Sequence, residues 1–180
     1  MKKSEFLAAM QSRVARVAVG ASTVRGRGHT GAVAAARDFF RELNLKEFVG
    51  TRTEFEQSLD RATRRLLRKL PKGARAWGIS RKLLNIFLRD CLYSAHLASH
   101  FKLSQVEDAM EIPLDALTAK GLQKRVGRGK LPAWPGVKHV ERSLSVKYQQ
   151  AAADEAAKSR IARVHLDAVL WSVSRDGKAD

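Results

Sequence analysis

The chain has 180 residues, with 34 Lys plus Arg against 18 Asp plus Glu, a formal charge of +16 and a pI near 10.7. Its 44% hydrophobic content is enough for one compact core and excludes a disordered basic tail, while no run approaches the roughly 18 apolar residues of a membrane span. The single cysteine, Cys91, excludes an internal disulfide, a four-cysteine iron–sulfur cluster and a zinc site of paired cysteines.

The periodicity is helical almost throughout. Residues 4–18 form a first helix with Phe6, Leu7, Met10, Val14 and Val17 on one face. The basic glycine loop VGASTVRGRGHTG precedes the helix AVAAARDFFREL. Thr51 and Glu54 have capping-box spacing and should open the helix EFEQSLDRATRRLLRKL, which ends before Pro71. Ser80 is placed to cap RKLLNIFLRDCLYSAHLASHF, apolar around much of its circumference and so the expected central helix, with Cys91 packed inside it. Ser104 and Glu107 repeat the capping-box spacing and should open a short helix. Another follows over 115–125, then the loop GRGKLPAWPG, and 145–174 reads as one long or broken helix. The expectation is a single all-α domain over 1–180, soluble, cytoplasmic and monomeric. The basic start, interrupted by Glu5, Gln11 and Arg13, does not resemble a signal peptide.

The charge is unevenly placed. Residues 51–90 carry a net +7 and 121–148 a net +6, on either side of a segment, 91–120, that is net −2. Basic blocks around an acidic island point to a polyanion-binding face built about something that needs carboxylates, with nucleic acid the expected partner.

The first block contains Ala76-Trp77-Gly78-Ile79-Ser80-Arg81-Lys82-Leu83-Leu84-Asn85. A tight turn here would present backbone N–H groups at a helix N-terminus, a natural phosphate site, with Lys72, Arg75 and Arg81 around it. The segment resembles the hairpin of the helix-hairpin-helix DNA glycosylase superfamily, which includes endonuclease III and the archaeal 8-oxoguanine DNA glycosylases. Gly78, Arg81, Lys82 and Asn85 are in register with the family's Leu-Pro-Gly-Val-Gly-Arg-Lys pattern; Ile79 replaces Val, Ser80 the second Gly, and Trp77 stands at the Pro. In the second element, Pro113-Leu114-Asp115 resembles the family's Pro-Val-Asp, 33 residues after Lys82. The resemblance covers roughly 70–125, which would then hold the hairpin and the catalytic core.

The resemblance implies a helix-hairpin-helix DNA glycosylase that flips a modified base out of double-stranded DNA and excises it, without a metal or cofactor. Asp115 would stabilise the oxocarbenium character at the sugar. Lys82, beside Arg81 at a helix N-terminus, would be the amine that can form a Schiff base and give lyase activity. Lys72, Arg75, Trp77, Gly78, Ser80, Arg81 and Asn85 would serve DNA binding, joined by Arg25 and Arg27 of the glycine loop. Trp134, between two prolines, His29 and His165 are candidates for the base pocket, with Trp77 and Trp171 less favoured. The substrate would be an oxidised purine, or a modified base of phage DNA in a defence role. A non-enzymatic helix-hairpin-helix DNA-binding protein is the rival from another class, and an RNA-binding helical protein a third. His96 and His100 have i, i+4 spacing but lack a third ligand, and the glycine loop lacks the Gly-Lys-Ser/Thr of a P-loop.

Overall fold

The computed structural model describes residues 2–20, 23 and 30–176, with side chains described as far as Trp171. Among these residues there is no strand; the chain runs as α1 (Lys3–Ala18), α2 (Ala32–Glu42), α3 (Arg52–Lys69), α4 (Trp77–Tyr93), α5 (Ala95–Phe101), α6 (Ala116–Val126), α7 (Arg142–Ala157) and α8 (Leu166–Asp176), joined by short 3-10 turns. No helix among the described residues is long and apolar enough to cross a membrane.

The helix starts follow local chemistry. Thr51 Oγ1 accepts from the Glu54 N–H while Glu54 Oε2 accepts from the Thr51 N–H at 2.7 Å, the reciprocal capping box expected from the spacing. Asp115 caps α6 by accepting from the Thr118 N–H at 2.9 Å. Elsewhere the spacing misleads. Ser80 lies inside α4, whose N-cap is Ala76, and its hydroxyl donates back to the Ala76 carbonyl. Ser104 and Glu107 both fall within a 3-10 turn, Leu103–Ala109, and make no box there; Glu107 is drawn to His165 instead. The helix expected over 81–101 breaks at Ser94, whose extended backbone separates α4 from α5. Val17 is 69% exposed, so the buried stripe of α1 is narrower than the apolar pattern suggests. Residues 145–174 do form a broken helix, with α7 and α8 separated by the turn Arg163–His165.

Two apolar clusters result. The larger packs α1 to α5 around α4, and includes Phe40 stacked on Phe87 at 4.5 Å and the buried Cys91. Gln11 ties α1 to the end of α2, its amide donating at 2.8 Å to both the Phe40 and Leu43 carbonyls, which the helix end leaves unpaired. The smaller cluster joins α6, α7 and α8 through Leu122, Tyr148, Ala152, Leu166 and Leu170. At the start of α4, Gly78 meets the turn Val137–His139, which packs on the larger cluster, so closely that a Cβ there would lie 2.2 Å from the Val137 carbonyl oxygen. That close approach, rather than a phosphate, is what requires glycine at position 78.

Candidate active site

A cavity of about 450 Å³ opens where the two clusters meet, within the range of small-ligand sites, roughly 300–1,000 Å³. One wall is a single face of α4. Counting four, seven, eight and eleven residues on from Lys82 gives Ile86, Arg89, Asp90 and Tyr93, all of which line it. The opposite wall is Pro113, Asp115 and, from α8, Asp167, Ala168 and Trp171, with Thr23 at the rim.

Lys82 and Asp115 meet here. The ammonium lies 3.6 Å from Asp115 Oδ2 and donates to the Thr23 carbonyl at 3.2 Å. Their side chains are 12% and 22% exposed, sheltered yet open to the cavity. The α6 cap fixes the carboxylate: Asp115 Oδ1 is held by the Thr118 N–H, which turns Oδ2 toward the lysine.

Arg89 is the second charged centre. Its Nε and Nη2 donate to Asp90 Oδ1 at 2.9 and 2.8 Å, and its Nη1 to Asp167 Oδ2. Burial weakens the guanidinium, but the charges of Asp90 and Asp167 outweigh it and push its pKa up, so it stays protonated. Burial pushes the Asp167 carboxyl above its ordinary value against the opposing charge of Arg89, and the neighbouring charge of Asp115 pushes the same way. Asp90 is likewise raised by burial against Arg89. Asp90, Arg89 and Asp167 carry no motif in the sequence. The first two follow from the helical face that Lys82 marks, whereas Asp167 is 78 residues from Arg89 and has no local signal.

The other expected site residues divide sharply. Arg81, adjacent to Lys82 but about 100° round the helix, points away from the cavity and is buried. Its Nε and Nη2 donate to Glu111 at 2.8 Å each, and Nη1 donates to Asp60 at 2.9 Å and Thr63 at 3.0 Å. Asn85 donates to the same Glu111 at 3.0 Å. Arg81, Asn85, Ser80 and Gly78 are all buried, so their expected DNA contacts are replaced by internal packing and hydrogen bonding. Trp77 is half-buried with Arg81 under its ring, 5.4 Å from the centroid. Lys72 and Arg75 remain exposed, although Arg75 also donates to the Leu70 carbonyl at 2.8 Å and so closes the end of α3.

Trp134 does not line the cavity. It packs edge-on against Tyr148 at 5.4 Å in the smaller cluster, because the proline-bounded loop folds onto α7. Trp171, less favoured from the sequence, is the tryptophan in the wall. His165 stands behind it: Nε2 pairs with Glu107 at 2.7 Å, Nδ1 lies 3.0 Å from the Tyr93 hydroxyl, and the ring stacks on Tyr93. It braces a wall residue without facing the cavity. Arg25, Arg27 and His29 lie outside the described residues. Among the described residues no group of three or more His, Cys, Asp or Glu could hold a metal ion. Compared with family models, with characterised proteins and with solved structures, the chain matches none.

Proposed function

We propose that the chain is a DNA glycosylase that extrudes a modified base into the cavity and cleaves its N-glycosidic bond. The observation that carries this reading is the meeting of Lys82 with Asp115 at 3.6 Å inside a cavity of base-accommodating size. Two residues 33 apart in sequence, each also explicable alone as a surface lysine and a helix cap, share one sheltered site. As the C1′–N bond breaks, its electron pair leaves with the base, and Asp115 Oδ2 stabilises the positive charge developing on the sugar. Water then adds to C1′, its proton going to the departed base, or the Lys82 amine, after passing a proton to its carboxylate neighbour, adds to C1′, and the C1′–O4′ bond of the resulting aminal opens to leave a Schiff base that permits strand cleavage by β-elimination. Tyr93 and Trp171 offer aromatic surface to an extruded base. Exposed Lys72 and Arg75 and the +16 charge support binding to the DNA backbone.

The second reading, a DNA-binding protein without chemistry, draws on the fact that capping α6 and pairing with Lys82 already give Asp115 a structural role. Asp115→Asn separates the two, since asparagine caps helices as well as aspartate. A glycosylase variant should keep its fold and DNA affinity while base release falls at least about 100-fold, the scale of one lost transition-state charge interaction. Release is to be measured on duplexes bearing oxidised purines and on phage DNA with modified bases. Unchanged release in Asp115→Asn, or none by the wild type on either substrate, would sink the enzymatic reading. Borohydride trapping that disappears in Lys82→Ala would establish the lyase step.

A further inference from the structure

We propose that a second cavity, on the side of α4 away from Lys82, binds a phosphate monoester. Its volume is about 250 Å³, and its wall includes Arg52, Glu56, Trp77, Arg142, Ser145 and Arg163, none of which lines the cavity of Lys82 and Asp115. The inference therefore stands apart from the glycosylase reading. Arg52 is the first residue of α3 and Arg142 the first of α7, and both are mostly exposed. Arg163, in the turn before α8, is half-buried, so two open cations and one sheltered one surround the same space.

Arg163 carries the argument. Its Nε and Nη2 donate to the Met110 and Ala109 carbonyls at 2.9 Å each, and among the described residues it pairs with no carboxylate. Burial, with the charges of Arg52 and Arg81, pulls its pKa below the ordinary value against Glu111 and Glu56. A guanidinium stays protonated even so, which leaves a sheltered positive charge without a counter-ion in contact. The carboxylates of the wall are already engaged: Asp60 by Arg81 and Arg142, Glu111 by Arg81 and Asn85, and Glu56 by Arg52. Ser145 is an independent sign. It is 3% exposed and lies on the cavity wall, yet its hydroxyl makes no hydrogen bond among the described residues. A polar group so sheltered calls for a partner from the cavity's occupant.

The unspent donors set the ligand's chemistry. Arg52 spends Nε on Glu56 and Arg142 spends Nη1 on Asp60, so Nη1 and Nη2 of Arg52, Nη2 of Arg142 and Nη1 of Arg163 keep all their protons. With the Ser145 hydroxyl, these outnumber the two oxygens of a carboxylate and suit the three terminal oxygens of a phosphate monoester. α7 begins without a side-chain cap, and its positive dipole end on this wall favours the same charge. The space admits a phosphate with the sugar it esterifies and is too small for a duplex. Such a group is carried by a free mononucleotide or by the 5′ end of a nucleic-acid strand.

Calorimetric titration of the full chain with deoxythymidine 5′-monophosphate, and with thymidine as the control lacking phosphate, tests the site. A single-stranded oligonucleotide with a 5′-phosphate is compared with its 5′-hydroxyl form in parallel. The wild type should bind the monophosphate at least about 10-fold more tightly than thymidine. Arg163→Gln should weaken that binding about 10-fold or more and Ser145→Ala about 3- to 10-fold. Arg128→Gln, which removes the same charge from an exposed loop position, should stay within about 2-fold. If Arg163→Gln does not fold, Arg142→Gln takes its place, since Arg81 still holds Asp60. A 5′-phosphate that tightens the oligonucleotide well beyond the mononucleotide identifies the strand end as the source; equal affinities identify the free monoester. Equal binding of monophosphate and thymidine together with no effect of the 5′-phosphate would overturn the proposal. So would equal losses in Arg128→Gln and Arg163→Gln, which would leave only the general positive field. Neither readout uses base excision, so failure here and failure of the glycosylase reading are separate results.

Discussion

Replacing Arg81 by Met should destabilise the fold without removing a DNA contact. Arg81 carries two hydrogen bonds to Glu111, one to Asp60 and one to Thr63, with its side chain 8% exposed. Removing one partner of a buried ion pair typically costs about 3–5 kcal/mol, because the remaining charge loses its compensation. Here the lower end is expected, since Asn85 still donates to Glu111 and Arg142 still pairs with Asp60 at 2.8 Å. For a chain of this length about 3 kcal/mol corresponds to a fall in Tm of roughly 6–12 °C. The pH dependence gives an independent check. Burial alone would raise the Glu111 carboxyl, but the hydrogen bonds and charge of Arg81, with Asn85, outweigh it and hold the pKa below its ordinary value. A depressed folded-state pKa contributes stability that is complete above the ordinary value of about 4.3 and is lost as the pH falls through the folded-state value. In Arg81→Met burial acts unopposed by that arginine, the pKa rises, and protonation relieves the strain, so the Tm gap between variant and wild type should narrow on acidification. Thermal melts followed by circular dichroism from pH 7 to pH 3 measure both effects. A variant that melts within about 2 °C of wild type, while its DNA binding loses about one unit of salt slope, would refute the internal role and restore Arg81 as a phosphate contact.

Gly78→Ala should destabilise by about 1–3 kcal/mol or more in urea unfolding, because its Cβ would meet the Val137 carbonyl at 2.2 Å and Val140 Cβ at 2.8 Å. The opposing groups are backbone and a β-branched side chain, neither of which can swing away. Trp134→Phe should change stability by no more than about 1 kcal/mol and leave excision intact, since the indole N–H is buried without a partner among the described residues and the lost ring area is partly offset by removing it. A tenfold loss of excision would return Trp134 to the base pocket. Cys91 should resist maleimide at pH 8 in the native protein and react on unfolding, because burial, aided by the charge of Asp90, pushes its thiol well above the ordinary range. Rapid native labelling would show that the α4 core opens locally.

The helices were legible where local chemistry alone decides them. The Thr51–Glu54 box and the Asp115 cap are short-range hydrogen bonds, and the sequence pattern and the structure agree on both. Ser80 and Ser104 carry the same signature but fail, because a serine in a cap-like position is also compatible with a helix or turn that began earlier. The break at Ser94 has no glycine or proline to announce it. In the site, Lys82 and Asp115 were found through a resemblance and converge, while Asp167 was passed over because its partners, Arg89 and Thr118, lie 78 and 49 residues away. Trp134 and Trp171 exchanged places for a similar reason: a proline-flanked loop looks exposed in sequence, yet tertiary packing against Tyr148 decides its position.

Arg81 and Lys82 show how one basic block serves two purposes. Neighbours on α4 point to different sides, so Arg81 reaches α3 and Glu111 while Lys82 reaches Asp115, and the helix separates a structural ion network from the cavity. The same separation bears on the +16 charge. Asp60, Glu111, Asp90, Asp115 and Asp167 have side chains no more than 22% exposed and are matched inside by Arg81, Lys82 and Arg89. Five carboxylates and three cations turned inward make the outer surface more basic than the formal charge states. A domain of this size carries at most about 8 net charges for solubility alone, and a surface this basic repels itself unless a polyanion neutralises it. Of the four carboxylates in the acidic island, Glu111 and Asp115 turn inward while Glu107 is half-buried and Asp108 exposed, so the island tempers the basic blocks at the surface only in part, and the positive field that remains is what supports DNA as the partner proposed for the cavity.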